Sequence, residues 1–295
     1  MSKVVAGVAG LVELLPVMMG FRLEGSVAVC GTCSDGRLLF GRLDAGVTSR
    51  DTLGAVFTRL AAEGVSKYLV VAYVDDEIVA ALVDHVAATL FPGPVVTVWA
   101  AEGFWVRLDT GERQPRDPRH PAVLEYRLEA TTRPMAASRD AYVADLVEHN
   151  GEGSLSEGEV AAVTIDRSAG AVAAWLEERA GQTLTREELV HLLAHLQHGA
   201  CRDDVYAAVV EIGPDAVADL LTQVVTATAD QPLATHPLAV LALVAYVEGD
   251  TVTASGAVER ATRIGGHSGL LTLMGTVLDN ALDPKRVLDL LRQAL

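Results

Sequence analysis

The stretch at 68–74, Tyr-Leu-Val-Val-Ala-Tyr-Val, runs without a polar break. It is too short for an ordinary helix and rich in β-branched residues, which marks a strand buried on both faces. Such a strand needs cover on each side, so the first half of the chain reads as an α/β layer. The flanks agree. Thr48-Ser49-Arg50-Asp51 supplies N-cap candidates for a helix to about Glu63, with Leu53, Val56, Phe57 and Leu60 on its apolar face and Gly64 as its stop. Asp75-Asp76-Glu77 can cap a second helix over 78–90. Pro92-Gly93-Pro94 then breaks the chain, 95–100 reads as another strand, and 103–108 as its hairpin partner. This alternation predicts a sheet with an at least partly parallel core.

Upstream, Leu11, Leu14, Leu15 and Met18 recur at helical spacing. Pro16 predicts an end or kink in that helix. Gly20 is a C-cap candidate and Phe21 a core anchor. Ser26-Val-Ala-Val-Cys30 reads as a strand, Ser34-Asp35-Gly36 as a turn, and 37–43 as the returning strand. Leu14-Leu15-Pro16, Met19-Gly20-Phe21-Arg22, Ser26-Val27 and Gly36-Arg37-Leu38 together resemble the opening of the DUF4192 family. That family is uncharacterised and found mostly in actinobacteria and some of their phages. It commonly has proline after Gly-Phe-Arg, where this chain has Leu23. The resemblance implies a fold and a lineage, and it brings no catalytic residues. Ser138-Arg139, opening a helix to about Glu148, fits it as well, and so does the helical end of the chain.

The segment 110–121 holds three of the eleven prolines and reads as a long loop or flap. The next one, 123–130, is ambiguous, with an edge strand as one reading. Gly151, Gly153, Ser154 and Ser156 make 150–156 the best linker, which divides the chain at 1–150 and 151–295. Beyond it helices are predicted over 157–180 (broken near Ser168-Ala169-Gly170), 185–198, 203–212, 215–227, 237–248, 252–264, 270–280 and 284–294. Leu241, Ala245, Gly249, Ala254, Val258 and Ala261 fall near tetratricopeptide spacing, a permissive pattern that any helical hairpin can share. The expected architecture is an α/β (or α+β) N-terminal domain with a mixed sheet, followed by an all-α domain of TPR-like helical hairpins.

Charge narrows the function classes. The formal net charge is −16, which argues against binding a nucleic-acid backbone or an anionic membrane and favours a basic partner. Lysine occurs only at Lys3, Lys67 and Lys285, so 20 of the 23 basic residues (23 − 3) are arginine, in keeping with a GC-rich genome. The apolar stretch 3–21 superficially resembles a signal peptide, but Glu13 interrupts it. Three cysteines make no disulfide framework. A cytoplasmic protein is expected.

Three constellations could carry chemistry. His191, His195 and His198 are spaced to share one helix face, with Cys201 a turn further on if the helix continues past Gly199. Imidazole and thiolate are zinc ligands, so these histidines are the candidate metal site, set against an ordinary polar face. Cys30-Gly31-Thr32-Cys33 is a CxxC on a predicted strand, where two reduced thiols are expected, because a redox pair sits at a helix N-terminus and a zinc ribbon needs a second pair. Asp75-Asp76-Glu77 stands at a strand's carboxyl end, where carboxylates cap a helix or, alternatively, bind magnesium or act as a base. No phosphate loop, GxSxG or HExxH is present, and no cofactor beyond possible zinc is expected. Trp99, Phe104 and Trp105 read as core.

The leading expectation is therefore a non-enzymatic interaction or scaffold protein, with a protein partner or self-association at a groove of the helical array. One alternative is a small-molecule or metal-dependent enzyme with a site near Asp75 and Asp76 under the 113–120 loop. The other is an acidic mimic of nucleic acid.

Overall fold

A computed structural model describes residues 7–34, 36, 38–90, 94–129, 135–148, 153–165, 168, 170–280 and 282–294. Lys3, Asp35, Arg37, Pro92, Gly93, Ala130, residues 150–152 of the expected linker and Ala169 lie outside the described residues. The chain divides into two compact units, Met1–Tyr142 and Val143–Leu295.

The first unit runs α1 (Val8–Met19), β1 (Ser26–Cys33), β2 (Leu38–Asp44), α2 (Arg50–Ala62), β3 (Val65–Tyr73), α3 (Glu77–Leu90), β4 (Val95–Ala101), β5 (Phe104–Arg107), β6 (Arg113–Pro115) and α4 (Pro121–Glu129), and α5 (Arg139–Val147) begins in it. The strands form one sheet in the order β2-β1-β3-β4-β5-β6. β3 and β4 pair in parallel across the α3 crossover, and the other neighbours are antiparallel. The expected mixed sheet is present, and β3 is its buried centre. On one face Val27, Val29, Val70 and Ala72 pack against Leu53, Phe57 and Leu60 of α2 and Ala80, Val83 and Ala87 of α3. Alternate residues, Ala28, Cys30, Val71 and Tyr73, are buried on the other face, where Tyr73 meets α1.

Pro16 does not end α1. Proline has no N–H, so the Val12 carbonyl one turn earlier loses its helical donor. The Tyr73 hydroxyl donates to that carbonyl at 2.7 Å. The helix ends instead at Gly20, in the left-handed region at φ 78°, and a Cβ there would lie 2.6 Å from the Tyr142 ring. Phe21 follows, fully buried and 5.9 Å from Tyr142 between ring centroids. The Arg22 amide donates to the Ala136 carbonyl and the Ala136 amide to the Gly20 carbonyl. The Gly-Phe-Arg motif is thus a helix stop, a core anchor and a short bridge.

Two expectations are corrected here. The 110–121 loop contains β6, which pairs with β5, and Arg113 sits 3.7 Å over the Phe104 ring. Residues 123–129 of the ambiguous segment belong to a helix, α4. Pro121 opens it, where a missing N–H costs nothing, and His120 Nδ1 accepts from the Ala122 amide.

The second unit is helical throughout its described length: α6 (Glu157–Ala161), α7 (Ala171–Arg179), α8 (Arg186–Leu196), α9 (Gly199–Glu211), α10 (Pro214–Ala227), α11 (Thr235–Glu248), α12 (Thr251–Arg263), α13 (Gly269–Asp279) and α14 (Pro284–Ala294). The expected break near Gly170 is present, since Gly170 stands at the N-cap of α7 with φ 78°. α9 starts earlier than the predicted 203, with His198 at its N-cap. Ser156–Glu159 and Thr185–Glu188 form capping boxes that fix where α6 and α8 begin. Every residue over 237–247 in α11 is buried, and α8, α10, α12, α13 and α14 pack around it. The open groove expected of a repeat stack is therefore consumed along α11. A helix apolar on all sides belongs at the centre of a bundle.

Arg260 of α12 is fully buried. It donates to the carbonyls of Val147, Val225 and Thr228 and to Asp230 Oδ1, the last at 2.8 Å. Those carbonyls lie at the ends of α5 and α10, where helical donors run out, and Val225 also accepts from the Thr228 amide. No helix among the described residues is long and apolar enough to cross a membrane.

Tyr73→Phe should cost roughly 1–3 kcal/mol, because it leaves a buried carbonyl unpaired. Adding Pro16→Ala should return much of that loss by restoring an N–H for Val12, which a double-mutant cycle in urea would measure. Strict additivity would sink the assignment. Arg260→Met should cost about 3–5 kcal/mol, the range for breaking a buried charged network, read as a fall in the unfolding midpoint.

Candidate functional site

The sequence placed possible chemistry at three points, and the structure separates them. Cys30 and Cys33 both lie on β1, but an odd spacing sends them to opposite faces. Cys33 joins the α2–α3 core and its thiol donates to the Glu63 carbonyl, whereas Cys30 lies on the Tyr73 side. Burial pushes the Cys30 thiol up to about 12, which keeps it protonated. The pair therefore shares neither a disulfide nor a metal. All three cysteines are buried thiols.

Asp75, Asp76 and Glu77 are exposed, and Asp76 Oδ1 accepts from the Ile78 amide at 2.8 Å. They open α3, which is the capping role. The strand end beside them is occupied, since Trp99 Nε1 donates to the Val74 carbonyl at 2.8 Å. Arg116, from the loop expected to cover a site, is held by Glu13 of α1. Its Nε and Nη2 meet the two carboxylate oxygens at 2.6 and 3.0 Å, and the Asp117 amide adds a third bond to Glu13. The Arg116 guanidinium lies 5.6 Å from the centre of the Tyr73 ring. Asp76, Trp99 and Arg116 thus each hold a structural partner, whereas Asp75 and Glu77 face solvent. Glu13 was visible in the sequence as a lone charge in an apolar helix, but its partner lies 103 residues away.

The histidines give the more informative result. His191 and His195 lie one turn apart on α8, with ring centroids 4.1 Å apart. His198 is not on that helix, because α8 stops at Leu196 and His198 is the N-cap of α9. Cys201 lies on α9. Among the described residues no three His, Cys, Asp or Glu side chains are grouped to hold a metal ion. Two imidazoles alone do not complete a zinc site, so the donor set does not fit the expected metal.

The two imidazoles instead border a cavity of about 200 Å³ between α7 and α8, lined by Ala171, Val172, Trp175, His191, Leu192 and His195. The Trp175 and His191 rings stand 5.4 Å apart, so the three rings follow one another in a row. His195 is buried, and its Nδ1 lies 2.8 Å from the His191 carbonyl. A carbonyl only accepts, so Nδ1 carries the proton. Burial first, then the neighbouring His195, lowers the pKa of His191 below its ordinary value. Arg179 lies 5.8 Å from the Trp175 ring and pairs with Glu188 at 2.7 Å and Glu178 at 2.8 Å. Glu188 is held down at about 2 by the Thr185 amide and hydroxyl, then by Arg179. Asp204 of α9 accepts from the Gly170 and Val172 amides and so fixes the start of α7. Sequence reasoning missed Trp175, because no local spacing ties α7 to α8.

A family model described as "Domain of unknown function (DUF4192)" matches residues 9–285. No curated protein and no solved structure matches the chain.

The lowered pKa of His191 sets a pH dependence. The unfolded chain takes up a proton near 6.5, whereas the folded protein resists it until lower pH. The contribution is complete above that value and is lost as pH falls below it. Thermal melts from pH 7.5 down to 5, a range spanning the ordinary histidine pKa of about 6.5, should show a falling midpoint, less steep in His191→Gln. Equal slopes in the two proteins would count against a buried neutral imidazole.

Proposed function

The chain belongs to the DUF4192 family, and we propose that it acts as a non-enzymatic protein-interaction or scaffold protein. One observation carries this reading: α3 turns apolar residues to solvent. Ile78 is 78% exposed and Leu82, one turn later, 56%. Ala81 and His85 on the same helix are also exposed. Scattered exposed apolar side chains are ordinary, but two large ones at helical spacing form a stripe that a partner can cover.

Asp75, Asp76 and Glu77 lie at the start of this stripe and are exposed. An apolar strip beside carboxylates suits an amphipathic segment that carries lysine or arginine next to its apolar face. The net charge of −16 favours the approach of such a partner and disfavours a second copy of this chain, a nucleic-acid backbone or an anionic membrane. In this reading the TPR-like hairpins of α11 to α14 supply rigidity and the interface lies on α3. Three buried thiols suit a reducing compartment, so we place the protein in the cytoplasm.

The test compares wild-type protein with Ile78→Glu/Leu82→Glu, each immobilised and exposed to soluble extract of the source cells. Wild type should retain a basic protein stoichiometrically and release it at roughly 0.5 M salt, where charges are screened within a few ångströms. The double variant should retain none, with a melting midpoint close to that of wild type, since both side chains are solvent-facing. Equal retention by both proteins would remove α3 as the interface.

A further inference from the structure

The cavity between α7 and α8 lies in the other unit from α3, and its chemistry is of a different kind. We propose that it binds a small, uncharged aromatic molecule bearing one hydroxyl or ring N–H, which packs against Trp175 and hydrogen-bonds to the imidazole of His191.

Size comes first. About 200 Å³ is below the usual span of drug-sized ligand sites and close to what a single ring fills. The walls come next. Ala171, Val172 and Leu192 are small or aliphatic, and Trp175 gives the aromatic surface. A flat ring can slide past alanine and valine and meet the indole offset or edge-on, arrangements that aromatic pairs prefer.

Polarity then selects among rings. His191 lines the cavity between Trp175 and His195. A neutral imidazole offers one donor and one acceptor nitrogen, so it can satisfy a hydroxyl or an N–H without any charge on the ligand. No acidic residue, lysine or arginine is among the residues that line the cavity. Arg179, the nearby cation, already pairs with Glu178 and Glu188 and lies over the Trp175 ring. A cation would compete with Arg179 for the indole face. Among the described residues no third His, Cys, Asp or Glu joins the two imidazoles to hold a metal ion.

The cavity is also held in shape. The Asp204 carboxylate fixes the first turn of α7 through two amides, and the Thr185–Glu188 capping box fixes the first turn of α8. Both walls are therefore anchored at their starts, as a pre-formed site requires.

The probes are phenol and toluene, which share a ring and differ in the hydroxyl. Each is titrated into the full-length protein at pH 7.5 while the histidine Cε1–H and tryptophan indole resonances are followed by NMR. Phenol should give saturable shifts at His191 and Trp175, with contacts from its ring protons to the Val172 methyls in a nuclear Overhauser spectrum. Toluene should bind about fivefold more weakly, as expected for one lost hydrogen bond. His191→Phe should abolish that preference, and Ala171→Phe, which fills the cavity, should abolish both shifts. The wild-type contacts need no variant, so they stand even if Ala171→Phe does not fold. No saturable shift with either probe, phenol contacts elsewhere on the protein, or equal affinity for the two probes would each overturn the proposal. The α3 interface stands or falls separately, because none of these readouts involves it.

Discussion

A carbonyl buried without a donor costs more than most single contacts contribute, and in each unit of this protein a long side chain from a distant part of the chain meets that constraint. In the first unit, Pro16 strips Val12 of its helical partner and the Tyr73 hydroxyl supplies the bond. Tyr73 is also the last residue of β3, so this one bond ties the sheet's central strand to the helix across its face. In the second unit, Arg260 gathers the last carbonyls of α5 and α10 with Asp230. Its guanidinium can do so because five donors in a plane match several acceptors at once. Helix ends that would otherwise have to face water are thereby kept inside.

Around those ties each unit packs by a simple rule. β3 is apolar on both faces and takes α2 and α3 on one side and α1 on the other. α11 is apolar all round and takes neighbours on every side. The Glu13–Arg116 pair belongs to the same economy, because a charge placed in α1 is matched bidentately and by an amide. Outside that packing lie the Ile78–Leu82 stripe on α3 and the ring-lined cavity between α7 and α8.

Much of the fold was legible from the residues. The run at 68–74, the serine ahead of α2, Gly20 and the stop at Gly64 are local signals, and local signals act through propensity and periodicity. The segment that became α4 was not legible, since its pattern suits a strand as well as a helix and the decision rests on His120 and Pro121 at its start. The histidines show the same limit at the site. Their spacing is helical, yet the backbone turns at Gln197 and His198 before the third can join the others. Trp175 enters because α7 folds back beside α8, and no residue pattern within either helix announces that.

The sequence by itself determined the family, the change from a strand-bearing first part to a helical second, the acidic charge, and most helix starts, because each depends on composition or on neighbours within a few residues. The tertiary structure alone decided which buried groups meet: Tyr73 with Val12, Glu13 with Arg116, Arg260 with three carbonyls, and Trp175 with His191. Those pairings join residues well separated along the chain, and the stretch between them leaves no mark of its partner. Desolvation selects them, since a polar group or ring edge leaving water must find its complement among whatever the fold brings near.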